Sequence, residues 1–432
     1  MTAPLRIGLA GLGTVGAGVV RLLAANADIL SLRCARPLVV TAVAARDRFK
    51  DRGLDLGAAR WVADAADLAD AVDVDVVVEL IGGSEGVARS LVERALDRGK
   101  PVITANKALL AEHGLDLARR AEATGVALAF EAAVAGGIPI VKLLRDGLAG
   151  NRVDRVLGIL NGTSNFILSE MAGSGRSFDS VLAQAQAEGY AEADPSFDVD
   201  GIDAAHKLVL LASLAFGMPP RFAGAHVEGI RHVTAADIRF AAQLGYGIKL
   251  LAIAERTLAG ARVRVHPCLV PADGAVARVG GVLNAVALDG DFVGTLVIEG
   301  RGAGERPTAS AVVADLVDLG NGLSRPVFGL PADRLAPLDL LPIADRVGSC
   351  YLRLDVVDRP GVIAEIAAVL RDEEISIESL LQRGRAPGEG VPIVIVTHEV
   401  REAAIARALE RFTEIRSVLE PPVMIRIEPL QS

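Results

Sequence analysis

The sequence predicts an α/β protein of three parts, and three observations predict it. Apolar β-branched runs alternate with amphipathic helical stretches at the N-terminus, a glycine-rich turn follows the first of those runs, and the C-terminus reads in the order βαββαβ. A length of 432 residues agrees, because one hydrophobic core rarely organises so long a chain.

Taken in order, residues 5–9, 38–44, 74–80, 101–104 and 127–130 read as strands, and 84–98 and 109–123 read as amphipathic helices ending at glycine. That rhythm predicts a doubly wound parallel sheet over residues 1–135. After Gly136 the pattern changes to a helix over 140–148, a strand over 155–160 and helical stretches up to Gly217, then short β-like runs between turns from 262 to 300. Residues 136–303 are therefore expected to form an α+β domain. A proline-rich stretch, 326–347, has no helical or strand period and reads as a linker. From Gly348 onward the pattern is strand 349–356, helix 362–373, strand 375–381, strand 392–397, helix 402–412 and strand 415–419, which predicts a ferredoxin-like unit over 348–432.

Composition narrows the function. Hydrophobic residues make up 51% of the chain, yet the longest apolar stretch, 208–218, is about half the roughly 20 residues a membrane helix needs, so no membrane span is expected. The N-terminus has no basic region followed by an apolar run, so no secretory signal is expected either. A net charge of −9 and 3% aromatic residues remove the electrostatic and stacking surfaces that nucleic-acid binding uses. Cys34, Cys268 and Cys350 are far apart and show no metal-ligand spacing, which suits a reduced cytoplasm. Lysine is scarce beside arginine, so each lysine is notable.

The glycine-rich turn is Gly11-Leu12-Gly13-Thr14-Val15-Gly16, placed between the first strand and the first helix. Glycines let the backbone turn tightly and approach a pyrophosphate, whose charge sits on the helix N-terminus. In this position the pattern predicts a Rossmann-type dinucleotide site. The second strand ends Ala44-Ala45-Arg46-Asp47, where an arginine accommodates a 2′-phosphate and an acid binds ribose hydroxyls. Arg46, helped by Lys50, favours NADP(H), and Asp47 leaves NAD(H) open.

Acids cluster from Glu188 to Asp194, followed by Asp198, Asp200, Asp203 and Lys207. Asp203 and Lys207 are four apart and share a face if the segment is helical. Lys207 also leads into an apolar run, which implies partial burial. A positioned lysine beside a carboxylate is a usable proton donor and acceptor, as an alcohol/aldehyde interconversion requires. An ordinary helix salt bridge is the alternative at this point.

Several ordered motifs carry a resemblance: Val77 to Gly83, Thr104-Ala105-Asn106-Lys107, Glu131 to Pro139, Asn161-Gly162-Thr163-Ser164-Asn165, Glu188 to Lys207, and Gly302-Ala303-Gly304 with Pro307 to Ser310. Through them the first 340 or so residues resemble homoserine dehydrogenases. The resemblance implies interconversion of L-aspartate 4-semialdehyde and L-homoserine, a homo-oligomer (dimer or tetramer), and a middle domain that binds substrate and dimerises. It further implies that a returning segment near 304–325 completes the dinucleotide domain. Lys207 would be the proton donor and acceptor, Glu192 and Asp203 would bind the amino-acid end of homoserine, and Lys107 would lie near the nicotinamide. Gly189 and Gly304 would line the cofactor. Glu131 and the carbonyls of Val134, Gly136 and Ile138 would hold a monovalent cation, Na+, for which hard oxygen ligands are suited.

The C-terminal unit begins Val356-Val357-Asp358-Arg359-Pro360-Gly361-Val362 and resembles ACT-type regulatory domains over about 80 residues. That resemblance implies L-threonine as a feedback inhibitor, bound near Gly361, where a missing Cβ admits a ligand to the backbone. Two other functions compete. A semialdehyde dehydrogenase working through an acyl-enzyme needs an activated cysteine, and none of the three lies in a motif. A catalytically inactive amino-acid sensor would use the ACT unit alone, and the retention of Lys107, Glu192, Asp203 and Lys207 argues against it.

Overall fold

A computed structural model describes residues 3–382 and 389–429. Six strands, β1 (Leu5–Ala10), β2 (Leu38–Ala44), β3 (Arg60–Trp61), β4 (Val76–Glu79), β5 (Val102–Thr104) and β6 (Leu128–Ala129), form a wholly parallel sheet in the order β3-β2-β1-β4-β5-β6. Ile7, Leu9, Val76, Val77 and Val78 are all buried, as expected of central parallel strands covered on both faces. Helices α1 (Thr14–Ala25), α2 (Ala27–Arg33), α3 (Val87–Asp97) and α4 (Lys107–Thr124) connect them. Strand order reverses between β1 and β4, and a ligand crevice opens at the carboxyl ends of strands at such a switch.

The middle of the chain supplies α5 (Ile140–Lys142), β7 (Val153–Ile159), α6 (Gly162–Ser174), α7 (Phe178–Ala187), α8 (Ser196–Val199) and α9 (Ile202–Phe216). It continues with β8 (His226–Val227), α10 (Ala235–Gln243), β9 (Tyr246–Thr257), β10 (Gly260–Pro271), β11 (Leu283–Gly290) and β12 (Gly294–Arg301). The β9–β10 hairpin is 12 residues per strand, longer than the short runs expected between 262 and 300. Helix α11 (Glu305–Gly320) returns to the first domain, where Ala309, Val312 and Leu316 share an apolar cluster with Ile7, Val19 and Val78.

The C-terminal unit comprises β13 (Val347–Gly348), β14 (Cys350–Val357), α12 (Val362–Asp372), β15 (Ile377–Gln382), β16 (Gly390–Thr397), β17 (Val400–Arg401), α13 (Glu402–Thr413) and β18 (Val423–Ile427). Its main strands run β18-β14-β16-β15, the ferredoxin-like order. The last strand is not the expected 415–419, which offers only an isolated bridge, Val356 to Val418. The run after Pro421-Pro422 replaces it because it finds a partner on each side, β14 and β10. Pairing with β10 makes one ten-stranded sheet of the middle and C-terminal units. The stretch expected to be a linker is irregular but packed, with Phe328 and Ala332 buried in the main core and Phe328 against Phe130. Among the described residues no single helix is long and apolar enough to cross a membrane.

Candidate active site

Helix α9 is apolar almost all round and so lies inside the protein. That burial takes Asp203 and Lys207 inside with it, one helical turn apart on the same face. Lys207 Nζ donates to Asp203 Oδ2 and to the Leu160 carbonyl, both at 2.7 Å. Lys107 Nζ stands 3.1 Å from Asp203 Oδ1 and 5.6 Å from the centre of the Phe197 ring. One buried carboxylate therefore holds two ammonium groups, one per oxygen. Burial alone would push Asp203 upward; Lys207 and Lys107 override it and keep the carboxyl well below the ordinary carboxylate range.

Lys107 is placed by the carboxyl ends of β4 and β5. The Thr104 hydroxyl donates to Glu79 Oε2 at 2.5 Å and accepts from the Asn106 amide at 2.9 Å. Asn106 caps α4 by accepting from Leu109 N and reaches the Gly83 carbonyl with its own amide. Glu79, fully buried, uses its other oxygen to accept from Ile81 N and Gly82 N.

Asn161 joins the acids, donating to Asp198 Oδ1 at 2.8 Å and Asp203 Oδ2 at 2.9 Å. Burial and the charge of Asp203 raise Asp198, against the pull of Asn161 and Thr163. Thr163 also donates to the Tyr190 carbonyl, tying Asp198 to the turn over 188–195. Asn161, Asp198, Glu79 and Thr104 have no assigned role from sequence, although all lie in stretches noted above. Their signal is a hydrogen-bond geometry that spacing does not encode. His206 points away from Lys207, between the rings of Phe197 and Phe222, and burial lowers its pKa.

Glu192 and Gly189 stay exposed in that turn, and among the described residues no contact joins the Glu192 side chain to Lys207, Lys107 or Asp203. The glycine loop borders a cleft of about 820 Å³, also lined by Arg46, Asp47, Lys50 and Arg52. Gly11 has φ +98°, and a Cβ there would collide with the Leu80 carbonyl, as one on Gly16 would with the Gly11 carbonyl. Gly13 faces open space, and Thr14 and Val15 form the first turn of α1, where a helix leaves N–H groups without intrahelical partners. This cradle fits a dinucleotide pyrophosphate. Arg52, unassigned from sequence, clasps the loop by donating to the carbonyls of Leu12, Asp47 and Lys50. Gly304, φ +113°, is the N-cap of α11, which starts at Glu305.

Glu131 accepts from Val141 N and Lys142 N, and burial with Asp315 nearby raises it to about 7. Val134 and Gly136 are buried, and among the described residues their carbonyls accept no backbone hydrogen bond, while that of Ile138 accepts from Ile140 N. A buried acid and backbone carbonyl oxygens from the same turn are the hard donor type a monovalent cation takes. The three cysteines are free and buried, and burial pushes the Cys350 thiol up to about 11, which disfavours an acyl-enzyme cysteine. Gly361, φ +96°, begins α12 in the exposed turn after β14.

Residues 139–317 match the family profile described as homoserine dehydrogenase, 11–131 its NAD-binding domain and 351–416 the ACT domain. The chain is 48% identical to a homoserine dehydrogenase of Pseudomonas aeruginosa and 45% identical to one of Neisseria gonorrhoeae, with 99% of each chain covered in both cases. A solved homoserine dehydrogenase of Thiobacillus denitrificans superposes with a TM-score of 0.93 at 45% identity, covering 99% of this chain and 98% of that one. A hyperthermophilic archaeal homoserine dehydrogenase in complex with NADPH has a TM-score of 0.63 at 25% identity, covering 75% and 99%. A dinucleotide cradle, a buried lysine pair on one carboxylate and these full-length likenesses converge: the chain belongs to the homoserine dehydrogenase family.

Proposed function

We propose that this oxidoreductase interconverts L-aspartate 4-semialdehyde and L-homoserine reversibly, with NADP(H) preferred to NAD(H). We further propose that it is a cytoplasmic homo-oligomer on the route to threonine, methionine and isoleucine, inhibited by L-threonine through its ACT domain. The observation that carries the chemistry is Asp203 held between Lys207 and Lys107.

A bound nicotinamide supplies or accepts the hydride. The chain must handle the proton. Lys207 uses two of its three N–H bonds on Asp203 and Leu160, which leaves one to give to the alkoxide oxygen as the aldehyde is reduced, or to take back from the alcohol. Asp203 fixes the direction of that N–H, and Lys107 adds a second positive charge where negative charge develops on oxygen. Asp203 and Glu192 serve the substrate ammonium, Glu192 from a turn whose Tyr190 carbonyl accepts from the Thr163 hydroxyl beside Asp198. Gly189 and Gly304 border the cofactor.

Cofactor preference rests on the cleft. Arg46 and Lys50 line it, while the Asp47 carboxylate turns into its own loop, accepting from Phe49 N and Lys50 N. Both of those bonds fall on one oxygen, Oδ1, so Asp47 keeps NAD(H) usable, whereas an exposed arginine suits a 2′-phosphate. Glu131, Val134, Gly136 and Ile138 would hold Na+, and the Gly361 turn would receive threonine.

The test is absorbance at the nicotinamide band on mixing the protein with homoserine and NADP or NAD, with and without L-threonine. The expected result is reduction, faster with NADP, and slowed by threonine. No reduction with either nucleotide would favour the sensor.

A further inference from the structure

Residues 226–237 of the middle domain are gripped at both ends by the ACT domain. At one end Arg426 of β18, 2% exposed, donates through both terminal nitrogens to Glu228 at 2.8 Å, and Glu402 of α13 shares the same guanidinium. At the other end Asp237, fully buried in the first turn of α10, accepts from Tyr351 Oη at 3.1 Å and Arg353 Nε at 2.7 Å, both on β14. The second Asp237 oxygen accepts from Thr234 N and Oγ1 and closes the capping box that starts α10.

Between its two grips the segment lies on α8 and its end. Ile230 N donates to the Val199 carbonyl at 2.9 Å, and Arg231 pairs with Asp200 and donates to Ser196 Oγ at 3.0 Å. Gly229 sits so close to Val199 and Asp200 that a Cβ would collide with their backbone. These are the residues of α8 and its end. Helix α8 carries Phe197, whose ring faces Lys107, and Asp198, which Asn161 and Thr163 hold.

We propose that the 226–237 segment couples the ACT domain to the substrate half of the active site, with Arg426, Arg353 and Tyr351 acting as positioning residues for α8. A segment fixed at both ends and in contact at its middle transmits a shift of the ACT domain to α8 without local unfolding. Arg426, Arg353 and Asp237 are buried while Glu228 is partly exposed, and pairs with a buried partner make such grips stiff, since separating them leaves an uncompensated charge inside. A displacement of a few tenths of an ångström at Asp198 and Phe197 alters the setting of the two lysines, and reaction geometry is sensitive at that scale. The glycine cleft receives no contact from this segment among the described residues, so the effect falls on homoserine rather than on the dinucleotide. The regulatory part of this inference rests on the proposal that the ACT domain binds an effector; the positioning part does not.

The experiment uses the full chain, with Glu228→Gln and Tyr351→Phe, which change little volume, and Arg407→Ala, which removes an exposed arginine of α13 paired with Glu373 at the end of α12, as a control. Homoserine KM is expected to rise roughly 2- to 30-fold in the first two variants while NADPH KM stays within about twofold, and the control should match wild type. Threonine binding measured by calorimetry should persist in Glu228→Gln, with weaker inhibition. Homoserine KM within about twofold of wild type in both variants, or an equal rise for NADPH, overturns the coupling. Absence of threonine inhibition in wild type overturns the effector reading alone, and the KM comparison then still decides the positioning role.

Discussion

Lys207 Nζ lies 2.7 Å from Asp203 Oδ2 inside the protein, four residues along the same helix, and the same carboxylate meets Lys107 with its other oxygen. Removing Lys207 therefore deletes a proton carrier while Lys107 still neutralises Asp203. Lys207→Ala is expected to lower kcat by about 10²–10⁴-fold with a much smaller change in homoserine KM. Steady-state kinetics in both directions measure this, and activity within about threefold of wild type would take Lys207 out of the mechanism.

Arg46 lines the dinucleotide cleft with an exposed side chain, beside Asp47, one oxygen of which accepts from Phe49 N and Lys50 N. Arg46→Ala should raise the NADPH KM roughly tenfold or more and leave NADH little changed, because only the 2′-phosphate uses the guanidinium. Equal losses on both nucleotides would make Arg46 a structural residue and pass the choice to Lys50.

Addition of Na+ should raise Tm relative to tetramethylammonium at equal ionic strength, because an ion bound only by the folded chain stabilises it by mass action. Glu131→Gln should abolish the difference. A Tm that does not distinguish the two cations would leave Glu131 as the helix-capping acid it already is, through Val141 N and Lys142 N.

Lys249 supplies a pH-dependent term. It is buried on β9, donates to Asn165 Oδ1 and the Val279 carbonyl, and burial lowers it from 10.5 to about 8. A base lowered in the folded state destabilises below its folded value, and that penalty fades as pH rises toward the unfolded value. Between pH 7.5 and 9.5 wild type should gain about 2 kcal/mol relative to Lys249→Met, measured by urea unfolding of both proteins. Parallel stability curves would show that Lys249 keeps its proton throughout.

Gly361→Val should weaken threonine inhibition by roughly 5-fold or more and leave uninhibited kcat unchanged, since φ +96° resists a β-branched side chain and the turn is exposed. Inhibition curves on the full chain decide it. Unaltered inhibition would move the effector away from this turn.

Much of this was legible from period and punctuation. Parallel strands buried on both faces announce themselves as runs such as Val76 to Val78, and the glycine turn marks its own position after β1. The lysine–carboxylate pair follows from a spacing of four. What spacing could not show is partnership over distance. Asn161 reaching both Asp198 and Asp203 requires two chain segments to meet. Strand β18 was hidden because Arg426 interrupts its apolar pattern, although that arginine is 2% exposed and paired with Glu228 and Glu402. Phe328 looked like part of a linker because proline removes periodicity without preventing burial.

The shared sheet also sets an order of events during synthesis. The edge of β10 opposite β9 is shared by β8 at Arg264 and Val265 and by β18 at Cys268 and Leu269, and β18 is synthesised after the other described strands. Until then the apolar stretch at Cys268 and Leu269 lacks its strand partner, the kind of surface that recruits stray strands from other chains. Loss of β18 should therefore lower the solubility of the middle domain as well as its regulation, which makes this strand a check on the folding of both units.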